Sequence, residues 1–157
     1  MKRLLHRPSA AARNGIRVVL ALGVAAALAS PPSHADAPPS RYTLAAGTVV
    51  DTQTTLTWQR DDDGMLRTWS EASDYCATLP LDGGGWRLPA VKEMLSLVDT
   101  SRNNPALDPT AFAAATNGTY WTGSAQVGTG GKWTVYFPYG NLSWTTETDK
   151  NVVRCVR

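Results

Sequence analysis

The chain has 157 residues, and its 15 Lys and Arg side chains slightly outnumber its 13 Asp and Glu side chains. Five of the basic residues lie before residue 18, where there is no acidic residue. Residues 36–157 therefore hold ten basic and thirteen acidic side chains, a formal net charge of −3. No basic cluster remains there, which argues against a nucleic-acid partner, because binding to the phosphate backbone depends on Lys and Arg.

The first 35 residues have the pattern of a secretory signal peptide. A basic start is followed by apolar or small residues over 18–29 and then by Ser33-His34-Ala35, a small-x-Ala cleavage pattern. The apolar run is shorter than the ~20 residues that a transmembrane helix needs. We therefore predict export to the periplasm or the extracellular space, cleavage after Ala35, and no membrane span in the cleaved protein.

The rest of the chain predicts a short lead-in and a single domain. Residues 36–41 contain two prolines and are predicted to be disordered. Residues 42–157 have the length of one domain. All six tryptophans lie within them, which predicts a core rich in large aromatic rings.

A hairpin and a helix are predicted to open the domain. Strand-like runs at 48–51 and 56–59 flank a polar stretch, which indicates the hairpin. The helix is predicted over 69–79. Thr68 and Glu71 have the spacing of a capping box, in which each side chain bonds a backbone N–H near the other, and apolar residues then recur at helical spacing.

A second helix and several strands follow. The helix is predicted to begin at Pro89, because the missing N–H of proline is tolerated at the first helical position. Its apolar stripe consists of Val91, Met94, Leu95 and Val98. Residues 100–118 are predicted to be mostly loop, with Phe112 as an anchor. Strands are predicted at 119–125, 132–137, 142–145 and 152–156. This order of elements indicates an α+β fold.

The two cysteines, Cys76 and Cys155, are predicted to form a disulfide. Both follow the export signal, and an even pair in an exported chain is typical of a disulfide rather than of reactive thiols. The bond would join the first helix to the last strand. Closing a loop of that length stabilises the fold by roughly 4 to 5 kcal/mol on the chain-entropy model.

Five short strings, in order, carry a resemblance to one family. They are Val50-Asp51 with Leu56-Thr57-Trp58-Gln59, Trp69-x-x-Ala72-x-x-Tyr75-Cys76, Trp86-Arg87-Leu88-Pro89-x-x-Lys92-Glu93, Tyr120-Trp121-Thr122-Gly123-Ser124, and Val153-Arg154-Cys155-Val156-Arg157. Together they resemble the bacterial DUF1566 family, now named for the C-terminal domain of a collagen-like adhesin. The resemblance covers roughly residues 42–157.

The resemblance implies a compact C-type lectin-like fold. In that fold two helices pack on antiparallel sheets, the N- and C-terminal strands are adjacent, and a disulfide joins the first helix to the final strand. The namesake suggests recognition of sulfated polysaccharide and attachment to surfaces. This chain has no collagen-like tract, and residues 36–157 are negatively charged, which argues against multivalent binding to polyanions.

The candidate ligand-binding residues lie in the late loops and strands. They are Trp144, Tyr139, Asn141 and Lys132. Trp and Tyr offer flat apolar area with a polar handle, which suits stacking on a sugar or anchoring a partner protein. The sequence equally allows Trp144 and Tyr139 to be core or sheet-face residues. Arg87 is expected to pair with an acid or a helix-end carbonyl rather than to face a ligand.

The run Asp61-Asp62-Asp63-Gly64 raises the possibility of a calcium site, since calcium prefers clustered carboxylate and carbonyl oxygens. Its spacing is not that of an EF-hand loop, which needs alternate acids and a distal Glu. The sugar-binding triplets Glu-Pro-Asn and Gln-Pro-Asp are also absent. A solvated polar turn is therefore the favoured interpretation, and no cofactor is expected.

The residue types present argue against catalysis. Both histidines, His6 and His34, lie in the predicted leader, which argues against Ser-His and Cys-His chemistry and against histidine-ligated zinc. We predict a secreted, non-enzymatic domain that binds a glycan or a protein at the cell surface or envelope. The alternatives are a structural or assembly subunit of an envelope complex and a carboxylate-dependent hydrolase. The sequence leaves the ligand and the oligomeric state open.

Overall fold

The computed structural model describes residues 41–157, which form two three-stranded antiparallel sheets and two α-helices. The first sheet contains β1 (Tyr42–Ala45), β2 (Thr48–Asp51) and β3 (Thr57–Gln59), and the second contains β4 (Thr119–Ala125), β5 (Lys132–Tyr136) and β6 (Asn141–Thr145), each in chain order. The helices are α1 (Trp69–Thr78) and α2 (Val91–Ser96), with a short 3-10 helix at Leu81–Gly83. The predicted α+β class is confirmed. The predicted signal peptide, and all but the last residue of the predicted lead-in, lie outside the described residues.

The first sheet confirms the predicted hairpin as β2 and β3, with Val49 opposite Trp58. It also contains β1, which the sequence analysis did not predict. The Arg41 guanidinium holds this strand in place, because its Nε and Nη2 donate to the Asp51 carboxylate at 3.2 and 2.7 Å. A buried carboxylate at the end of β2 thus anchors the start of β1.

The first helix, α1, is confirmed together with its capping box. The Thr68 N–H donates to the Glu71 carboxylate at 2.8 Å, and the Glu71 N–H donates to the Thr68 hydroxyl at 3.4 Å. These two bonds satisfy backbone donors that the first turn leaves free. The buried face of the helix carries Ala72 and Cys76.

The second helix starts later than predicted. It begins at Val91 rather than Pro89, because the Ala90 N–H is capped by the Glu93 carboxylate at 2.6 Å. The Pro89 carbonyl instead accepts a hydrogen bond from Gly123 N–H at 2.8 Å. The helix is only six residues long, and of the predicted apolar stripe Met94 is fully buried.

Residues 152–156, predicted as a strand, do not form a regular one. Val152 makes a parallel bridge to Tyr120 in the second sheet, and Val156 makes an antiparallel bridge to Trp58 in the first. Because the segment crosses from the second sheet to the first, neither sheet supplies a partner strand along its whole length. Its end nevertheless pairs with β3 through two reciprocal backbone hydrogen bonds of 2.9 Å. The C-terminal residues therefore lie beside the first sheet, as predicted, but next to β3 and not next to the N-terminal strand β1.

The core consists of two clusters that meet at this segment. The larger contains Trp58, Met94, Phe112, Tyr120, Val135, Phe137, Val152 and Val156, among others. The smaller contains Ala72, Cys76, Trp86, Leu88, Trp121, Val153 and Cys155. The predicted Cys76–Cys155 disulfide is present in the smaller cluster, with both cysteines fully buried. Side chains of residues 152–156 alternate between the two clusters, so the segment joins them.

Candidate functional site

The four predicted ligand-binding residues lie along the β5–β6 hairpin, but not at one point. Tyr139 is in the connecting turn and is 62% exposed, and Asn141 begins β6. Trp144 lies three residues further along β6 and is 45% exposed. Lys132 begins β5, at the end of the hairpin away from the turn. Strand alternation decides which of these side chains share a face.

The pairing of β5 with β6 fixes that arrangement. The strands are antiparallel, with Tyr136 opposite Asn141 and Thr134 opposite Ser143. Because successive side chains of a strand point to opposite faces, these four residues share one face of the sheet. Trp144 belongs to the other face. The two strongest binding candidates on β6, Asn141 and Trp144, are therefore directed apart.

An open cleft of about 500 Å³ lies beside β6, and we call it the polar cleft. It is lined by Thr119, Thr134, Tyr136, Asn141, Leu142, Ser143, Trp144, Thr145 and Asn151. Seven of the nine carry a hydroxyl or a side-chain amide, and such groups can both donate and accept hydrogen bonds. Most of the β5 and β6 residues that line the cleft lie on the same sheet face as Asn141, so we assign the cleft to that face. Leu142 and Trp144, which belong to the other face, lie at its border.

An aromatic pair lies at the turn end of the polar cleft. The Tyr136 and Tyr139 ring centroids are 5.9 Å apart, and Tyr136, which lines the cleft, is 38% exposed. The turn that carries Tyr139 is fixed by Gly140, whose φ is +71°. A Cβ at Gly140 would lie 2.4 Å from Val98 Cγ1, so only glycine allows the turn to approach the end of α2 so closely.

Trp144 borders the polar cleft, although its position on β6 belongs to the opposite face of the sheet. It lies directly opposite Trp133 on β5. A Cβ at Gly131 would lie 2.9 Å from Trp144 Cε3, so the indole rests on the Gly131 backbone. Within residues 41–157, β6 pairs with β5 alone. Trp144 and Leu142, each 45% exposed, therefore lie on a strand whose outer edge has no described neighbour.

Lys132 is engaged within the fold. Its Nζ lies 3.1 Å from Glu147 Oε1 and 3.9 Å from the centre of the Trp69 ring. Its side chain is only 15% exposed, and it does not line the polar cleft. Its charge is therefore balanced by Glu147 and shielded by the indole.

Several residues of the polar cleft were not among the predicted binding residues. Ser143 and Thr145 could have been found from their alternation with Asn141 along one strand. Asn151 gave no such signal, because its position depends on an isolated bridge to Arg67, far away in sequence. Its side-chain Nδ2 is buried and makes no hydrogen bond in the structure as described.

The aspartate-rich run is held by arginines. The Asp62 side chain is 1% exposed and accepts hydrogen bonds from Arg154 Nη2 at 2.8 Å, from the Tyr120 hydroxyl at 2.6 Å and from Thr116 N–H at 3.1 Å. Burial pushes the pKa of Asp62 upward. The hydrogen bonds from Thr116 and Tyr120 and the charge of Arg154 outweigh burial, so the pKa lies below its ordinary value of 3.8.

Asp63 is also occupied, because its carboxylate pairs with Arg67 at 2.6 Å. That hydrogen bond lowers the pKa of Asp63. Among residues 41–157, no group of three His, Cys, Asp or Glu side chains is placed to hold a metal ion. Two of the three carboxylates are thus paired with arginines. The predicted solvated turn is wrong for Asp62, because its carboxylate is buried against Arg154.

Arg87 pairs with an acid, as expected. Its two terminal nitrogens each lie 2.7 Å from a Glu93 carboxylate oxygen, and one also donates to the Leu88 carbonyl at 3.2 Å. The Arg87 hydrogen bonds lower the pKa of Glu93. Since Glu93 caps α2, the pair orders the entry to that helix.

Comparison with known proteins identifies one family. The family model of the Lcl C-terminal domain matches residues 47–157, from just before β2 to the last residue. No curated protein matches the chain. Within the part of the chain that the structure describes, no helix has the length and apolar character needed to cross a membrane.

Proposed function

This chain belongs to the Lcl C-terminal domain family, and from that premise we propose that it is an exported, non-enzymatic recognition domain. It binds a glycan or a protein at the cell surface or in the envelope. The family suggests a surface-associated, adhesin-like domain. The leader-like first 35 residues and the Cys76–Cys155 disulfide support export, because structural disulfides form in oxidising compartments.

The polar cleft is the observation that carries this proposal. It presents hydroxyl and amide groups on a surface of regular strands, with Tyr136 at one end. A few polar groups placed on a rigid scaffold, with an aromatic ring beside them, are typical of ligand sites. The lining residues include no carboxylate and no thiol, and both cysteines are in the disulfide. The cleft therefore suits binding better than hydrolysis.

We further propose that the domain is a variant of the C-type lectin-like fold. Three features support this: the two helices, the return of the last residues to β3, and the disulfide from α1 to that returning segment. An experimental structure superimposed on C-type lectin-like domains is the test. A different strand connectivity would contradict it.

Binding to isolated cell envelopes tests the recognition function. Asn141→Ala with Ser143→Ala removes two exposed polar side chains of the polar cleft, and we expect it to abolish most of the binding of the labelled protein. The matched control is Asn103→Ala with Ser70→Ala, which makes the same chemical changes at exposed positions outside the cleft. Equal binding by both variants would contradict the assignment of the site.

A second candidate is an assembly subunit of an envelope complex. It is favoured by the unpaired outer edge of β6, with Trp144 and Leu142 exposed beside it. Unpaired strand edges and exposed aromatic residues are common points of protein association. Crosslinking in native envelopes separates the two functions. Loss of a stoichiometric complex in Trp144→Ala, with the polar-cleft variant unaffected, supports assembly and contradicts recognition through the cleft.

A further inference from the structure

We propose that the polar cleft binds a neutral saccharide, one that carries neither sulfate esters nor carboxylates. This inference rests on the proposed recognition function and names its ligand class. It differs from the expectation of sulfated polysaccharide that the resemblance carried, and it is argued from the charges and hydrogen-bonding groups around the cleft.

The lining of the polar cleft has no countercharge for an anion. None of its nine residues carries a formal charge at neutral pH. A sulfate or carboxylate is bound strongly by charge-assisted hydrogen bonds from Arg or Lys, and removing it from water without such a partner is unfavourable. A neutral sugar has no charged group to remove from water when it enters the cleft. The lining therefore favours a neutral sugar over one that carries a sulfate or a carboxylate.

Each lysine near the polar cleft has an acidic neighbour, in space or in sequence. Lys132 is paired with Glu147. Lys150, next to the cleft residue Asn151, is exposed and follows Asp149 in the chain. Residues 41–157 as a whole hold ten basic and twelve acidic side chains. No positive field therefore attracts a polyanion to this face.

The hydrogen-bonding groups of the polar cleft match those of a sugar. Hydroxyls of a saccharide donate and accept, as do the side chains of Asn141 and Ser143, both of which are exposed. Asn151 adds a side-chain nitrogen without an acceptor. Rotation of this amide toward the cleft allows a ligand oxygen to accept from it, which gives a ligand hydroxyl a partner that the free protein leaves unused.

The Tyr136 ring provides the apolar contact that a pyranose needs. It is tilted by 59° against the Tyr139 ring, and both are partly exposed. A flat aromatic surface beside polar groups suits the C–H face of a sugar ring, whose hydroxyls lie at its rim. The cleft volume of about 500 Å³ falls within the range of small-ligand sites and accommodates a short oligosaccharide.

The test uses the purified full-length protein and a panel of oligosaccharides of glucose, galactose, mannose and N-acetylglucosamine. Each is offered in unsulfated and sulfated form, at 50 and 500 mM NaCl. We expect at least one unsulfated oligosaccharide to bind as well as or better than its sulfated form. Its affinity should change less than about twofold with salt, because no ion pair is involved.

The variants locate the binding. Asn141→Ala and Ser143→Ala should each weaken binding about five- to tenfold, the effect of one lost hydrogen bond. Asn103→Ala and Ser70→Ala are the controls, and both they and Lys150→Gln should leave the affinity unchanged. Circular dichroism melting curves verify that each variant is folded.

Other outcomes overturn the inference in distinguishable ways. Binding only to sulfated forms, with a steep loss at 500 mM NaCl and in Lys150→Gln, overturns the neutral ligand and keeps the recognition function. A second outcome is that no oligosaccharide binds but an envelope protein is captured through Asn141 and Ser143. That outcome also overturns the neutral saccharide and keeps the recognition function. Failure to bind oligosaccharides and envelopes alike overturns the proposed function as well.

Discussion

The buried ion pair between Asp62 and Arg154 yields the sharpest prediction on stability. Arg154 is fully buried, and its Nη1 donates to the carbonyls of Gln59 and Arg60 at 2.7 and 2.5 Å, so the Asp62 carboxylate is its one anionic partner within residues 41–157. Asp62→Asn keeps the shape of the side chain but removes the charge. The guanidinium then remains buried without compensation, which typically lowers the free energy of unfolding by about 3–5 kcal/mol.

The assay is thermal unfolding followed by circular dichroism at pH 7. For a domain of this size, 1 kcal/mol corresponds to roughly 4 °C in Tm, so Asp62→Asn should lower Tm by about 12–20 °C. The matched control is Asp61→Asn, the same substitution at the neighbouring, exposed side chain. It should change the free energy of unfolding by no more than about 0.5 kcal/mol. Equal Tm values for the two variants would refute the reasoning.

The same pair predicts a pH dependence. Because the pKa of Asp62 is lowered on folding, its ionised form stabilises the fold above the ordinary carboxyl value of 3.8. That contribution is lost as the pH falls through the lower, folded-state pKa. The difference in unfolding free energy between wild type and Asp62→Asn should therefore be full at pH 7 and shrink below about pH 4. A difference that grows in acid would contradict the assignment.

Three further predictions concern single structural features. Replacing both Cys76 and Cys155 by Ala should lower the free energy of unfolding by about 4–5 kcal/mol in calorimetry, since the bond closes a 79-residue separation, and mass spectrometry should find no free thiol in the wild type. Gly140→Ala should cost at least about 2 kcal/mol in urea unfolding, from both its positive φ and its close contact. Gly130→Ala, with φ +72° and open space around it, should cost only about 1 kcal/mol, and equal losses at the two sites would contradict the contact. Thr68→Ala should cost about 1 kcal/mol in the same assay through loss of the helix cap, and an unchanged midpoint would contradict that role.

Local signals in the sequence predicted the local parts of the fold. The capping box of Thr68 and Glu71 placed α1 within one residue, because both partners lie within one helical turn. Alternation over residues 132–137 identified β5 and its two faces in the same way. The cysteine pair predicted a contact between distant residues, since a covalent bond is the one long-range contact that composition alone indicates.

Features that depend on distant residues were not predictable. β1 forms because it pairs with the edge of β2 and because Arg41, just before it, binds the Asp51 carboxylate. The residues of β1 alone indicate neither interaction. The regular strand predicted at 152–156 fails because two sheets compete for that segment. Asn151 reaches the polar cleft through its bridge to Arg67, which is distant in sequence. Lys132 suited a binding site by residue type, but in the structure it contacts Glu147 and Trp69.

The double attachment of residues 152–156 has a consequence for biosynthesis. Ribosomes deliver these residues after every other part of the domain, yet both hydrophobic clusters and the disulfide need them. The domain therefore cannot complete either hydrophobic cluster until these residues have been synthesised. Ribosome-stalled chains ending at residue 150 should be digested by protease as readily as denatured protein.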